Sequence, residues 1–214
     1  MNLDRLHKLQ AENAVRGFEM DAEARRFAVL ASRHQDGAAP RAVSGFNLFQ
    51  TPTEIAARMV EIAMDTHPRP GAVLEPSAGL GRLFVPAWAA WGGIAQFVLV
   101  EDNPACMGEL YTLTQGKRGV GLCQRDFLSM EDVGPRFDVV IMNPPFKQGR
   151  DIKHILHARE MLAPGGVLVS LCFDGVKQNA KLRPLCDSWE ALPLGSFKKE
   201  GTSAGVVLLT MTQE

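Results

Sequence analysis

Apolar positions along this chain follow two patterns that alternate. Short, nearly continuous apolar runs at Ala72–Glu75, Phe97–Glu101, Val120–Cys123, Phe137–Met142, Gly166–Phe173, Leu194–Phe197 and Val206–Met211 read as strands. A strand buried on both faces needs no polar side. Stretches with helical spacing lie around them, at Leu3–Phe18, Ala22–Ser32, Thr53–Asp65, Leu83–Trp91, Met107–Gln115, Ile152–Leu162 and Leu182–Ala191. In the third of these, Ile55, Met59, Val60 and Ile62 form the apolar stripe. Thr51 or Thr53 offers an N-cap, and Pro52 suits a first helical turn. Pro164-Gly165-Gly166 ends a helix and turns the chain into Val167-Leu168-Val169. From residue 53 onward strand and helix alternate, which predicts an α/β fold with helices on both faces of one sheet.

Two junctions in this pattern carry chemistry. The run Phe137–Met142 ends at Asn143-Pro144-Pro145-Phe146. The prolines stop the strand, because proline cannot donate to the ladder, and Pro144 keeps Asn143 out of helical geometry. A side-chain amide, a backbone carbonyl and an aromatic ring are thus gathered in one stiff turn. The Asn143 oxygen and the Pro144 carbonyl can each accept one N–H of an –NH2 group, and Phe146 can stack on a planar ring. The second junction follows Ala72–Glu75. Pro76-Ser77-Ala78-Gly79-Leu80-Gly81 is a tight turn into a helix, where glycines admit a ligand close to the backbone and the first helical N–H groups face it. The next strand ends in Glu101-Asp102, a place suited to a carboxylate that accepts from a ribose diol. The third strand leads to Asp126-Phe127.

Asn143 to Phe146 resemble the (D/N/S)-P-P-(Y/F/W) motif of S-adenosylmethionine-dependent amino-methyltransferases. The Glu75-Pro76-x-x-Gly79-x-Gly81 turn is similar to the cofactor loop of that family. Phe49-x-Thr51-Pro52 resembles the segment that closes over the methionine end of the cofactor in DNA N6-adenine methyltransferases. The order of these motifs is the γ order of those enzymes. The resemblance implies a seven-stranded, Rossmann-like class I methyltransferase sheet with helices on both faces and the last strand antiparallel. It implies S-adenosyl-L-methionine as cofactor, held by Phe49, Thr51, Pro52, Glu75, Pro76, Ser77, Gly79, Gly81, Glu101, Asp102, Asp126 and Phe127. Glu101 aligns best with the ribose acid, with Asp102 as the alternative; Asp126-Phe127 matches the adenine site. It implies that Asn143, Pro144, Pro145 and Phe146 are catalytic and that the target is the N6 amine of adenine in DNA. The alternatives are an RNA base amine, a protein glutamine, or an inactive module of the same fold. Lys147 stands where guanine-N2 RNA enzymes often carry His, and Phe146 where glutamine methyltransferases usually carry Tyr.

Composition and charge refine this picture. A chain of 214 residues that is 46% hydrophobic can build one substantial catalytic core, assigned to residues 48–214. Residues 1–47 form a separate helical extension rich in arginine: Arg16, Arg25, Arg26, Arg33 and Arg41. The net charge of −1 is not that of a strong non-specific nucleic-acid binder. Yet Lys147, Arg150 and Lys153 follow the Asn-Pro-Pro-Phe motif, Lys177, Lys181 and Arg183 follow the fifth strand, and Lys198 and Lys199 precede the last. Of these, Lys147, Arg150, Lys153, Lys198 and Lys199 are the expected nucleic-acid contacts. Enzymes of this order normally carry a target-recognition domain after the catalytic one. None fits after the last strand here, so target reading is expected from loops, from residues 1–47, from a second copy in a homodimer, or from a separate specificity subunit. The cysteines Cys106, Cys123, Cys172 and Cys186 have no metal-like spacing, and no metal is expected. His154 and His157, three apart on one helix, read as solvated or phosphate-facing. Core thiols, no signal peptide and no apolar run long enough for a membrane point to the cytoplasm and to no membrane partner. The resemblance adds a bacterial, phage or mobile-element setting.

Overall fold

The structure is a computed structural model that describes residues 50–130 and 137–213. The two N-terminal helices, the extension 1–47 and Phe49 lie outside those residues. Helices α1 (Thr53–Thr66), α2 (Phe84–Trp91), α3 (Pro104–Thr114), α4 (Arg150–Glu160) and α5 (Val176–Lys181) alternate with strands. The strands are β1 (Ala72–Glu75), β2 (Gln96–Glu101), β3 (Val120–Gln124), β4 (Phe137–Met142), β5 (Leu162–Phe173), β6 (Ser188–Ala191) and β7 (Val206–Thr212). They form one sheet in the order β3-β2-β1-β4-β5-β7-β6. The first five strands are parallel, and β7 inserts antiparallel between β5 and β6. The order reverses between β1 and β4, so the crevice that open α/β sheets use for ligands lies above the carboxyl ends of these two strands.

Side-chain alternation divides the core in two. Val73, Phe97, Leu99, Val139, Ile141, Val167 and Val169 face α1, α2 and α3, which contribute Ala56, Met59, Val60, Phe84, Trp91 and Leu110. Leu74, Val98, Val100, Val140, Met142 and Leu168 face the other way, onto Ile152, Ile155 and Ala158 of α4. With helices covering both faces, the central strands are mostly apolar on both sides, which is why their runs were so legible. Burying each such side chain stabilises the fold by about 1.5–3 kcal/mol.

The C-terminal third departs from the sequence expectation. The segment expected as a helix, Leu182–Ala191, instead holds the end of the α5 turn, a short 3-10 turn and strand β6. Leu182, Leu185 and Trp189 share a helical spacing, but Pro184 has no N–H for a continuing helix. Ser188 through Ala191 instead pair with Thr210 through Val207. Trp189 tucks half-buried against the second core, while Ser188 and Glu190 face solvent. The segment expected as a strand, Leu194–Phe197, is a turn. Gly195 has φ 85°, and Ser196 donates to the Pro193 carbonyl through both its amide, at 3.1 Å, and its hydroxyl, at 2.6 Å. Only Phe197 enters the core. Helix α5 was not foreseen. Helix α1 begins at Pro52, whose carbonyl accepts from Ala56 at 2.9 Å, and it has no side-chain cap. Neither Thr51 nor Thr53 serves that purpose.

Candidate active site

A cavity of about 510 Å³ opens above the carboxyl ends of β1 to β4. Its floor is the turn after β1. Gly79 and Gly81 have φ 53° and 74°, a conformation open to residues without a Cβ. At Gly81 a Cβ would also lie 2.6 Å from Leu113 Cδ1 of α3. These glycines therefore let the turn close tightly, with Gly79 lining the cavity and Gly81 packed against α3.

Glu101, at the tip of β2, fastens this turn. One carboxylate oxygen accepts the Gly79 amide at 2.7 Å, and the other accepts the Asn103 amide at 2.8 Å. Burial raises its pKa, and the two amides pull it back. The carboxylate is thus aimed by backbone, and each oxygen keeps lone-pair capacity for a hydroxyl. Asp102 beside it is exposed. Asn103 also caps α3 by accepting from Ala105 at 3.0 Å, with Pro104 in the first turn. Glu75 at the tip of β1 is 2% exposed, and its Oε2 has no hydrogen-bond partner. Burial, with the neighbouring Glu101 charge, raises its pKa well above the ordinary carboxylate value.

The wall over β3 and β4 carries the remaining groups. Asp126 accepts from the Leu128 amide at 3.0 Å and pairs with Arg150 at 3.3 Å. Phe127 is buried, its ring 5.6 Å from that of His154 and 4.8 Å from that of His157. His154 corrects the expectation of a solvated side chain. It is 4% exposed, its Nδ1 lies 3.3 Å from Ser77 Oγ, and its Nε2 has no partner. Burial, then the Arg150 charge, lowers its pKa to about 4. Asn143 stands at the end of β4, and its Nδ2 donates to Thr51 Oγ1 at 3.1 Å. Thr51, on the approach to α1, is itself buried. This contact ties the donor end of the amide to Thr51. Phe146 is half-buried on the first core. Gln148, next on the wall, has φ 59°, a conformation that costs a non-glycine residue about 1–2 kcal/mol.

Of the residues expected from sequence, Thr51, Glu75, Pro76, Ser77, Gly79, Glu101, Asp102, Asp126, Phe127 and Asn143 to Lys147 are brought together here, with Arg150; Pro52 and Gly81 do not line the cavity. Lys153, Lys198 and Lys199 are exposed and do not line the cavity. The sequence reading passed over Asn103 and Arg125, which do, and missed that His154, read as solvated or phosphate-facing, does as well. The Asn-Pro start of a helix could have signalled the first. The inward stripe Ile152, Ile155 and Ala158, shared by residue 154, could have placed the last.

A family model for the methyltransferase small domain matches residues 53–192. The chain belongs to this family of methyltransferases. Solved structures with the same fold include a type I restriction-modification methyltransferase subunit from Streptococcus thermophilus, 19% identical with a TM-score of 0.65. TrmN from Thermus thermophilus is 18% identical with a TM-score of 0.61. A proposed RNA methyltransferase from Pyrococcus horikoshii is 19% identical with a TM-score of 0.64. The matches cover 77%, 76% and 88% of this chain, and 44%, 49% and 97% of those proteins. The chain thus spans about half the length of the first two. No curated protein matches it. The methyltransferase uses S-adenosylmethionine. The donor set agrees with that cofactor: an unpartnered buried carboxylate oxygen at Glu75, a backbone-aimed carboxylate at Glu101 and a tight turn through Gly79 that lines the cavity. Among the described residues no three His, Cys, Asp or Glu side chains are grouped to hold a metal, and no helix is long and apolar enough to cross a membrane.

Proposed function

We propose that this methyltransferase methylates the exocyclic N6 amine of adenine in DNA. The observation that carries the reading is the Asn143–Thr51 hydrogen bond, which holds the amide of an Asn-Pro-Pro-Phe turn in the lining of the cavity beside Glu75 and Glu101. Glu101 would hold the ribose hydroxyls, Asp126 and Phe127 the adenine, Gly79 and its neighbours the chain of the cofactor, and Glu75 its amino end. S-adenosylmethionine supplies an electrophilic methyl group on a sulfonium.

An adenine N6 lone pair is delocalised into the ring and is a poor nucleophile. Asn143 Oδ1 and the Pro144 carbonyl accept its two N–H groups. Those acceptors favour a tetrahedral nitrogen and stabilise the positive charge that develops on it. Phe146 holds the base by ring contact once it has left the stack. Fixing the amine in line supplies most of the remaining acceleration. The methylated nitrogen is acidic and loses its proton to water, so no protein base is needed. Lys147, Arg150, Lys153, Lys198 and Lys199 serve the phosphates, Arg150 in exchange for its contact with Asp126. A partner subunit or a second copy supplies further target reading, a reading supported by relatives described as restriction-modification subunits.

The test is a labelled methyl-transfer assay on duplex DNA, single-stranded DNA, RNA and protein, followed by nucleoside mass spectrometry. N6-methyladenine in DNA is expected. Product confined to RNA, or to a protein glutamine, overturns the DNA reading and keeps the amine chemistry.

A further inference from the structure

The carboxyl edge of the sheet changes in charge along its length. Over β1, β2 and β3 it carries Glu75, Glu101, Asp102 and Asp126, with Arg82 and Arg125 among them. Over β5 and β7 it carries Lys177, Lys198 and Lys199, all exposed. Strands β4, β5 and β7 are consecutive in the sheet. Phe173 at the end of β5 pairs with Val206 at the start of β7, and the Asp174 amide donates to the Gly205 carbonyl at 2.9 Å. The segments after β5 and before β7 therefore form one rim that leads away from Asn143, on the side opposite the acids. At about 4.8 Å per strand, β7 lies about 10 Å from β4. Arg183 drops out of this rim, because beyond α5 the chain descends to the amino edge to begin β6.

The same rim holds the most exposed large apolar residues of the described chain. Val176 is 87% exposed and Leu194 88%, against 55% for Ile94 on the far side. Phe173, at 38%, precedes Val176 at the end of β5. Of the acids in these segments, Asp174 is engaged by Asn179 Nδ2 at 3.0 Å, and Glu200 is half-buried.

We propose that this rim binds the nucleic-acid strand flanking the target base, with Lys177, Lys198 and Lys199 on phosphates and Val176 and Leu194 against the bases next to the one drawn out. The inference rests on the nucleic-acid reading above. A base that leaves the stack exposes the faces of its neighbours to water, and apolar side chains cover such faces. The lysines select a polyanion as the occupant. An apolar protein surface would satisfy Val176 and Leu194 and leave the lysines unmatched.

The test compares wild type with Val176→Ser/Leu194→Ser and with Lys177→Glu/Lys198→Glu/Lys199→Glu. The probe is a fluorescein-labelled, adenine-containing 30-nucleotide strand, alone, as a duplex and as the RNA equivalent, read by anisotropy over a salt series. The lysine variant is expected to bind at least tenfold more weakly and to lose about 2–3 from the slope of log K against log salt. The apolar variant is expected to keep that slope, keep its S-adenosylmethionine affinity by calorimetry and lose about tenfold in kcat/KM on the methylated strand. Wild-type binding and transfer in both variants overturn the rim while sparing the nucleic-acid reading. A wild type that neither binds nor methylates any nucleic acid overturns the reading and the rim together. A wild-type dimer by light scattering that Val176→Ser/Leu194→Ser dissociates, with nucleic-acid binding intact, overturns the rim in favour of a protein interface.

Discussion

At the scale of single residues, the site turns on how side chains are aimed. Asn143→Ala should keep S-adenosylmethionine affinity and abolish transfer, since the acceptor it removes matters most as the nitrogen pyramidalises. Thr51→Val should also spare cofactor affinity but lower kcat by about tenfold, the worth of one hydrogen bond of about 1–1.5 kcal/mol. Thr51→Ser should restore it. Calorimetry paired with single-turnover rates checks both, and a Thr51→Val enzyme with unchanged kcat would remove Thr51 from the positioning of Asn143. Glu101→Ala should weaken cofactor binding by about 1.5–3 kcal/mol, with Asp102→Ala close to wild type; the reverse result would move the diol to Asp102. His154 gives a pH signature. The unfolded chain takes up its proton near pH 6.5 and the folded chain only near 4. Stability is therefore lost as pH falls from 6.5 toward 4 and levels off below. Urea unfolding should show wild type losing on the order of 3 kcal/mol relative to His154→Gln across that window. A difference that stays flat with pH would mean that the imidazole is not held neutral.

At the scale of elements, one buried carboxylate ties the target side together. Asp151, in the first turn of α4, accepts from the Phe173 amide at 3.1 Å and from Gln178 Nε2 at 2.9 and 3.1 Å. It thus joins the helix that follows the Asn-Pro-Pro-Phe turn to the end of β5 and to α5. Burial raises its pKa, and these donors oppose the rise. Asp151→Ala leaves buried donors without acceptors and should cost about 2–4 kcal/mol in chemical denaturation; a loss below 1 kcal/mol would mean that water replaces the carboxylate. The Arg58–Glu190 pair, at 2.6 and 2.8 Å between α1 and β6, looks stronger by distance. Both side chains are nearly half exposed, so it contributes less than about 1 kcal/mol.

At the scale of the whole molecule, the cavity gathers residues from the ends of β1 to β4, while Lys177, Lys198 and Lys199, beyond β5 and before β7, lie outside its lining. The arginine-bearing segment 1–45 precedes Gln50, which already lines the cavity. Its removal should spare cofactor binding and impair nucleic-acid methylation or assembly. Full activity on DNA together with an unchanged oligomeric state in light scattering would exclude it from both.

What the sequence determined by itself was local and periodic. Apolar runs located the strands from Ala72 to Phe173, because helices on both sides of a sheet favour apolar residues at most of its central positions, although β5 begins at Leu162 rather than Gly166. The Gly79-x-Gly81 turn and the Asn143 to Phe146 turn were legible because each needs particular residue types within a few positions. Contacts across the chain were not. The Thr51 hydroxyl reaches Asn143, 92 positions away, and no spacing rule records that. The lowered pKa of His154 exists only because the fold buries the ring and sets the Arg150 charge near it. Ser188–Ala191 becomes an edge strand because β7 offers it backbone partners. A segment of weak local preference takes its conformation from the neighbour that pairs with it, and only the tertiary structure supplies that neighbour.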